Sequence, residues 1–321
     1  MKTNLTKMTM MSIMITTIIM VTSSNNILFS WMSMEINLIS FLPILTESKK
    51  MTDQPMKYFI VQSLSSSTML MSILMNSIIE SPLNESIILM TSMLMKMGMM
   101  PFHLWMPNLM QSMTWMNCFI MSTMQKISPT ILISQTMNFH IMMYPMILSL
   151  IASPISTINQ LSTKKIMAYS SISNSPWMIM SMMISKTKFI MFMIIYSMIT
   201  VMIMKSMKKM NFMFINQSLN KSNKKKLSMI INILSMSGMP PMLGFVPKWI
   251  ILQSMINISI MMVSSMIISS ILSMFIYMKM ISTMMMTAST TKKTKKEIAE
   301  KENNMTINLL TLPLMVLFKS M

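Results

Sequence analysis

The sequence predicts an all-α polytopic membrane protein of about eleven transmembrane helices, arranged as an inverted repeat with two interrupted helices. Three observations carry that prediction. Apolar runs of spanning length recur from end to end, lysine gathers in alternate loops, and all three glycines lie beside prolines inside two of the runs. A mean hydropathy of +0.57 with only 11% charged residues leaves too little polar surface to cover a water-soluble globule.

A spanning helix needs about 20 mostly apolar residues. By that rule the spans fall near 8–21, 27–45, 56–79, 86–106, 113–133, 140–158, 165–184, 189–205, 228–253, 256–280 and 305–320. The opening Met1-Lys2 and its apolar stretch imitate a secretory signal, but no small-residue cleavage site follows, so the stretch is read as the first span. The whole chain, 1–321, is one transmembrane domain on this reading. Its halves are about 1–135 and 136–281, with an appended helix at about 305–321.

The loops test the count independently, because lysine collects on the side from which a chain is inserted. Residues 1–7, 47–54, the Lys164/Lys165 pair, 205–226 and 292–301 all fall on one side. The opposite loops hold 23–26, the acidic 80–85 turn and the 135–139 link; only Lys186 and Lys188 dissent. The net charge of +18 therefore acts as a topology signal and not as a nucleic-acid footprint.

Fifty-nine methionines, three glycines and no arginine mark a bias against GC-rich codons. A code that reads AUA as methionine produces this excess, which points to an organelle-encoded protein. For packing, methionine largely substitutes for leucine, and no clustered spacing suggests methionine-bound metal. The N-terminus and the lysine loops are then expected in the mitochondrial matrix and the C-terminus in the intermembrane space. Cys118, His103 and His140 are too few to hold an iron–sulfur cluster, and the histidines lie too far apart for a haem on one helix. A redox group, if one is involved, belongs to another chain.

Four ionisable residues fall within spans: Glu35, Lys96, Lys126 and Lys248. A charge at mid-bilayer costs at least about 2.5–3.5 kcal/mol, so such groups usually face a bundle interior or a hydrated path. A structural ion pair or a snorkelling stem is the alternative for each. Gly98 and Pro101 interrupt the fourth span; Gly238, Pro240, Pro241, Gly244 and Pro247 interrupt the ninth. Proline removes an amide donor and clashes with the preceding turn. Broken backbone at that depth survives only when buried in protein or lining a wet cavity, a plain proline kink being the alternative. The breaks are an odd number of spans apart, so the broken helices run in opposite directions and each carries a lysine. Paired breaks of this kind point to an ion path.

Six strings, in order, carry a resemblance. They are Trp31 to Leu38 with Pro43, Lys57-Tyr58-Phe59, Lys96 to Pro107, Gln125 to Pro129, Lys165 to Ile172, and Gly238 to Trp249. Together they resemble the subunit 2 family of mitochondrial NADH dehydrogenase, among the antiporter-like proteins, in its animal, arthropod-like form. The resemblance implies a core membrane-arm subunit of NADH:ubiquinone oxidoreductase (complex I), which couples NADH-driven quinone reduction to proton pumping. It implies no cofactor in this chain, with NADH, FMN, iron–sulfur clusters and ubiquinone bound by other subunits. The implied location is the mitochondrial inner membrane, and the implied partners are other membrane-arm and accessory subunits and lipids such as cardiolipin.

Residue by residue, Glu35 matches the family's intramembrane glutamate, Lys96 the lysine of the first broken helix, Lys126 the central lysine, and Lys248 the lysine of the second broken helix. Asn108 departs from the family's usual acid, and the loops from Lys205 and Lys292 have no match. Whether a buried lysine keeps its proton depends on solvation and nearby carboxylate charge. Glu35 and Lys96 are thus expected to form a switch that passes a proton toward Lys126 and Lys248. His103 is either a relay or a hydrogen-bonded structural histidine. A free-standing cation/proton antiporter and a purely structural subunit are the competing readings.

Overall fold

The side of a helix that carries its polar residues reveals what surrounds it. In α2, Ile27–Thr46, the buried face holds Ser30, Ser33, Asn37 and Ser40, while Leu28, Phe29, Met32, Ile36 and Ile39 are exposed. A helix in water would show the reverse. Exposed apolar side chains recur along the other helices, among them Ile19, Ile60, Ile190 and Ile271. Such a surface suits hydrocarbon.

The computed structural model describes residues 2–46, 53–78, 82–215, 217 and 223–289. The described residues are helical apart from connections and one isolated bridge, Ser162 to Phe214. The other helices are α1 Lys2–Ser23, α3 Asp53–Ile78, α4 Pro82–Met97, α5 Trp105–Ser112, α6 Trp115–Ser122, α7 Met124–Thr136, α8 Phe139–Thr157, α9 Thr163–Ile184, α10 Lys186–Met210, α11 Asn223–Ser237, α12 Phe245–Met255 and α13 Ile260–Ser289. Among the described residues, six segments are long and apolar enough to cross a membrane: Leu5–Ser23, Ile27–Thr46, Asp53–Met75, Phe139–Thr157, Lys186–Met210 and Ile260–Met285. The expected eleventh span, 305–320, lies outside the described residues, as do the lysines at 49–50 and 292–301.

The remaining expected spans differ from those six for physical reasons. The fourth is two pieces, α4 and α5, separated at the Gly98 and Pro101 segment. The ninth is likewise α11 and α12, separated from Gly238 to Gly244. The fifth, expected as one run over 113–133, is also divided, into α6 and α7 at Thr123. Thr123 donates both its amide (3.1 Å) and its hydroxyl (2.8 Å) to the Phe119 carbonyl, and such back-bonding bends helices. The seventh, α9, is long but serine-rich. Every residue from Ile166 to Ser181 is buried, so it needs no apolar face toward lipid.

The chain divides into two units, Met1–Ser149 and Leu150–Met321, with the boundary inside α8. In the first unit α2 packs on α1 and α3, α3 on α4 and α5, and α7 on α1, α4 and α6. In the second, α10 packs on α9, α11 and α12, and α13 packs on α11 and α12. There the α8–α9 connection is tied to the turn after α10. The Thr163 amide and hydroxyl donate to the Met213 (3.0 Å) and Phe212 (2.8 Å) carbonyls.

Candidate functional site: a buried lysine cavity

An interrupted helix strands carbonyls that a continuous one would satisfy. At the end of α4 the backbone turns through Gly98, whose φ of +65° is left-handed and open to glycine. The stranded Lys96 carbonyl accepts from Gln62 Nε2 of α3 at 3.4 Å. With the helix end held in this way, the Lys96 side chain reaches the unit's interior, its Nζ 3.9 Å from Met34 Sδ.

There it lines a cavity of about 20 Å³ with Lys126, Asn37, Tyr58, Gln62 and Gln125. That volume suits a single water-sized group. Lys126 is only 2% exposed and sits in the first turn of α7, placed there by the division at Thr123. Asn37 and Gln125 exchange two amide hydrogen bonds. Asn37 Nδ2 donates to Gln125 Oε1 (3.1 Å), and Gln125 Nε2 donates back to Asn37 Oδ1 (3.3 Å). The Tyr58 hydroxyl donates to the same Gln125 oxygen at 3.5 Å, and its ring stands edge-on to Phe41 with centroids 5.2 Å apart.

Glu35, on the neighbouring register of α2, exerts its charge on Lys96 and on Tyr58. Its Oε1 is closed off from solvent and has no hydrogen-bond partner among the described residues. The first unit therefore sets the Glu35 charge against Lys96, and Lys96 shares its cavity with Lys126. His103 lies in the break itself, half-buried, with Nδ1 3.2 Å from the Pro101 carbonyl, a contact that suits the structural reading as well as a relay.

Lys248 belongs to the second unit and is built differently. It rises from the first turn of α12 and folds back over Gly238, whose φ is +79°. Its Nζ donates to the Ser237 carbonyl at 3.3 Å, at the negative end of α11, and lies 5.8 Å from the centre of the buried Trp177 ring. The bare Gly238 leaves room for the lysine stem, and Gly244 lets the break lie against the end of α11, because a Cβ there would collide with the Ser235 carbonyl.

The residues that the sequence reading did not assign are Asn37, Tyr58, Gln62 and Gln125. For the three amides a signal of burial, though not of partner, is present in the sequence: amides within apolar spans are rare and usually face the interior. Cys118 is buried with Sγ 3.4 Å from the Met110 carbonyl. Among the described residues no cluster of His, Cys, Asp or Glu could hold a metal ion.

Residues 77–276 match the family model described as NADH:quinone oxidoreductase/Mrp antiporter, transmembrane. The NADH-ubiquinone oxidoreductase chain 2 of Locusta migratoria is 41% identical over 73% of this chain and 72% of its own length. That of Anopheles gambiae is 36% identical over the same shares. A chain of respiratory complex I from Thermus thermophilus shares the fold, with a TM-score of 0.74 at 17% identity, covering 84% of this chain and 68% of that one. Membrane helices, a broken-helix lysine cavity and these likenesses agree, and the chain belongs to the NADH-ubiquinone oxidoreductase chain 2 family of antiporter-like membrane proteins.

Proposed function

We propose that this chain is the membrane-arm subunit of NADH:ubiquinone oxidoreductase that relays protons through a lysine cavity, without redox chemistry of its own. The observation that carries the proton reading is the sharing of one buried cavity by Lys96 and Lys126, with the Glu35 charge acting on Lys96. Two cations beside one cavity repel, and a carboxylate that moves toward or away from one of them changes where a proton rests. A charge displacement arriving from the quinone-reducing subunits alters the Glu35–Lys96 pairing, and the proton shifts to Lys126 across the Asn37–Gln125–Tyr58 polar wall. Lys248 is the corresponding station of the second half. Each charge moved against 100 mV costs about 2.3 kcal/mol, which quinone reduction elsewhere in the complex supplies.

The inverted repeat belongs to this proposal, with halves of about 1–135 and 136–281 and an appended helix beyond. What supports it is internal packing: α3 meets both pieces of its broken partner, α4 and α5, as α10 meets both α11 and α12. The mitochondrial inner membrane is the location, with the lysine loops in the matrix. NADH, FMN, iron–sulfur clusters and ubiquinone lie in other subunits, and cardiolipin is an expected lipid neighbour.

Native extraction of the membrane followed by mass identification of whatever copurifies tests the assignment. A large assembly containing flavin and iron–sulfur proteins with NADH:quinone activity is expected. Recovery of the chain alone, or with other transporters only, would replace this reading with a free-standing cation/proton antiporter.

A further inference from the structure

A second cavity in the first unit, about 300 Å³, lies at the far end of α1 and α2 from Lys7. Its lining mixes polar and apolar groups: Ser24, Asn25, Asn26, Ile27 and Ser30 from one side, Leu132, Gln135 and Thr136 from α7. It holds no charged side chain and is large enough for several waters. On the lysine-loop reading, it opens on the intermembrane-space face.

Three helix faces run from this vestibule to the lysine cavity. On α2 the spacing of Ser30, Ser33 and Asn37 is that of a single face, with Ser30 lining the vestibule and Asn37 the lysine cavity. Ser128, Leu132 and Gln135 do the same on α7: Ser128 lines the lysine cavity, and the other two line the vestibule. On α1, Met14 accepts from Gln125 Nε2 through Sδ (3.4 Å); Thr17 and Val21 follow on that face, and Ser24 lines the vestibule. By helical spacing Thr17, Val21 and Ser33, each no more than 1% exposed, fall between the two cavities, and Leu132, 2% exposed, forms the vestibule's inner wall. The gap is two helical turns, about 10 Å.

We infer that this seam of α1, α2 and α7 is a gated proton exit: the hydroxyls of Thr17 and Ser33 are its polar steps, and Val21 and Leu132 its dry gate. The inference rests on the proton-relay reading above. The Ser33 hydroxyl donates to the Ser30 carbonyl (2.7 Å) and that of Thr17 to the Met14 carbonyl (2.7 Å). Their lone pairs remain to accept from water when the gate wets. A proton leaving the Lys126 ammonium passes to a water, which becomes hydronium, and an equal proton leaves the vestibule to bulk; Lys126 is reprotonated from the Lys96 side. No oxidant or reductant takes part.

Ser30→Cys and Ser33→Cys, each in a Cys118→Ser background, are conservative enough to assemble. In the test, the whole complex in sealed vesicles is exposed on one face at a time to a small cationic methanethiosulfonate, and the labelled peptide is read by mass spectrometry. The expected result is rapid labelling at Ser30→Cys from the face opposite the lysine loops. Ser33→Cys labels from the same face about 10- to 1000-fold more slowly at rest, as for a conformer populated at 0.1–10%, and faster during turnover. Leu132→Ser should raise the passive proton permeability of the vesicles without electron transfer. Labelling of Ser33→Cys only from the lysine-loop face, or not at all during turnover, overturns the exit. Normal pumping in a Lys126→Met complex would instead overturn the relay reading beneath it.

Discussion

Replacing Lys126 by methionine separates function from stability, because it removes a charge while keeping an unbranched stem of similar length. The lysine is 2% exposed beside a cavity of about 20 Å³, so no water shell offsets its burial. An ammonium held at this depth costs about 2.5–3.5 kcal/mol on insertion scales. The variant recovers that cost, less the roughly 1 kcal/mol that an interhelical polar contact contributes in a membrane. Lys126→Met should therefore assemble normally and be as stable as the parent, or more stable by about 1–3 kcal/mol. Proton translocation should fall by a factor of about 10² or more, the loss typical when a positioned proton-transfer group is removed. Native electrophoresis reports assembly, and pH changes in sealed vesicles measured against NADH oxidation report pumping. A variant that assembles at the parental level and keeps an unchanged proton-to-electron ratio refutes the reasoning and makes the lysine a structural charge.

Asn37→Leu and Gln125→Leu should each destabilise the first unit, since either removes the paired amide hydrogen bonds that the two side chains exchange. A double-mutant cycle on thermal inactivation should show a coupling of about 1–2 kcal/mol, and additive effects would count against the pair. Glu35→Gln keeps the volume and removes the charge acting on Lys96; pumping should slow while assembly persists, and an unchanged ratio of protons to electrons would remove Glu35 from the switch. Gly238→Ala places a side chain at φ +79° and should cost about 1–3 kcal/mol, whereas Gly244→Ala meets the Ser235 carbonyl and should abolish assembly; equal yields of the two would contradict the geometry.

Six of the expected spans were legible in the sequence because hydrocarbon imposes a length and a polarity on each helix, and the breaks because glycine and proline mark them locally. Gly98, Gly238 and their prolines lie where α4 and α11 stop. The division at Thr123 was not legible: threonine inside an apolar run is ordinary, and its bend depends on which carbonyl its hydroxyl meets. Nor was the role of Gln125 legible, since its partners Asn37, Tyr58 and Met14 lie on three other helices. Span periodicity fixes which face a residue takes but not which neighbour it meets. For the same reason α9 was read correctly as a helix, though its serines put it outside the segments apolar enough to cross on composition alone.

The two breaks solve the same electrostatic problem with different groups, and the difference has a measurable consequence. At the end of α4 a neutral amide, Gln62, satisfies the Lys96 carbonyl, so the Lys96 ammonium is not needed to hold the helix end and is left to respond to Glu35. At the end of α11 the lysine is itself the cap: Lys248 donates to the Ser237 carbonyl and lies near the Trp177 ring. Removing it loses a charged hydrogen bond worth about 1.5–3 kcal/mol and a cation–π contact of about 0.5–2 kcal/mol, offset in part by the charge no longer buried. Lys248→Met should therefore loosen the break between α11 and α12, whereas Lys96→Met should leave the α4 end intact. Hydrogen exchange of the backbone amides at 238–245 and 98–105 in the two variants measures this. Faster exchange is expected in the first segment only; equal acceleration in both would mean that Lys96, too, holds its helix end and is not the mobile partner of Glu35.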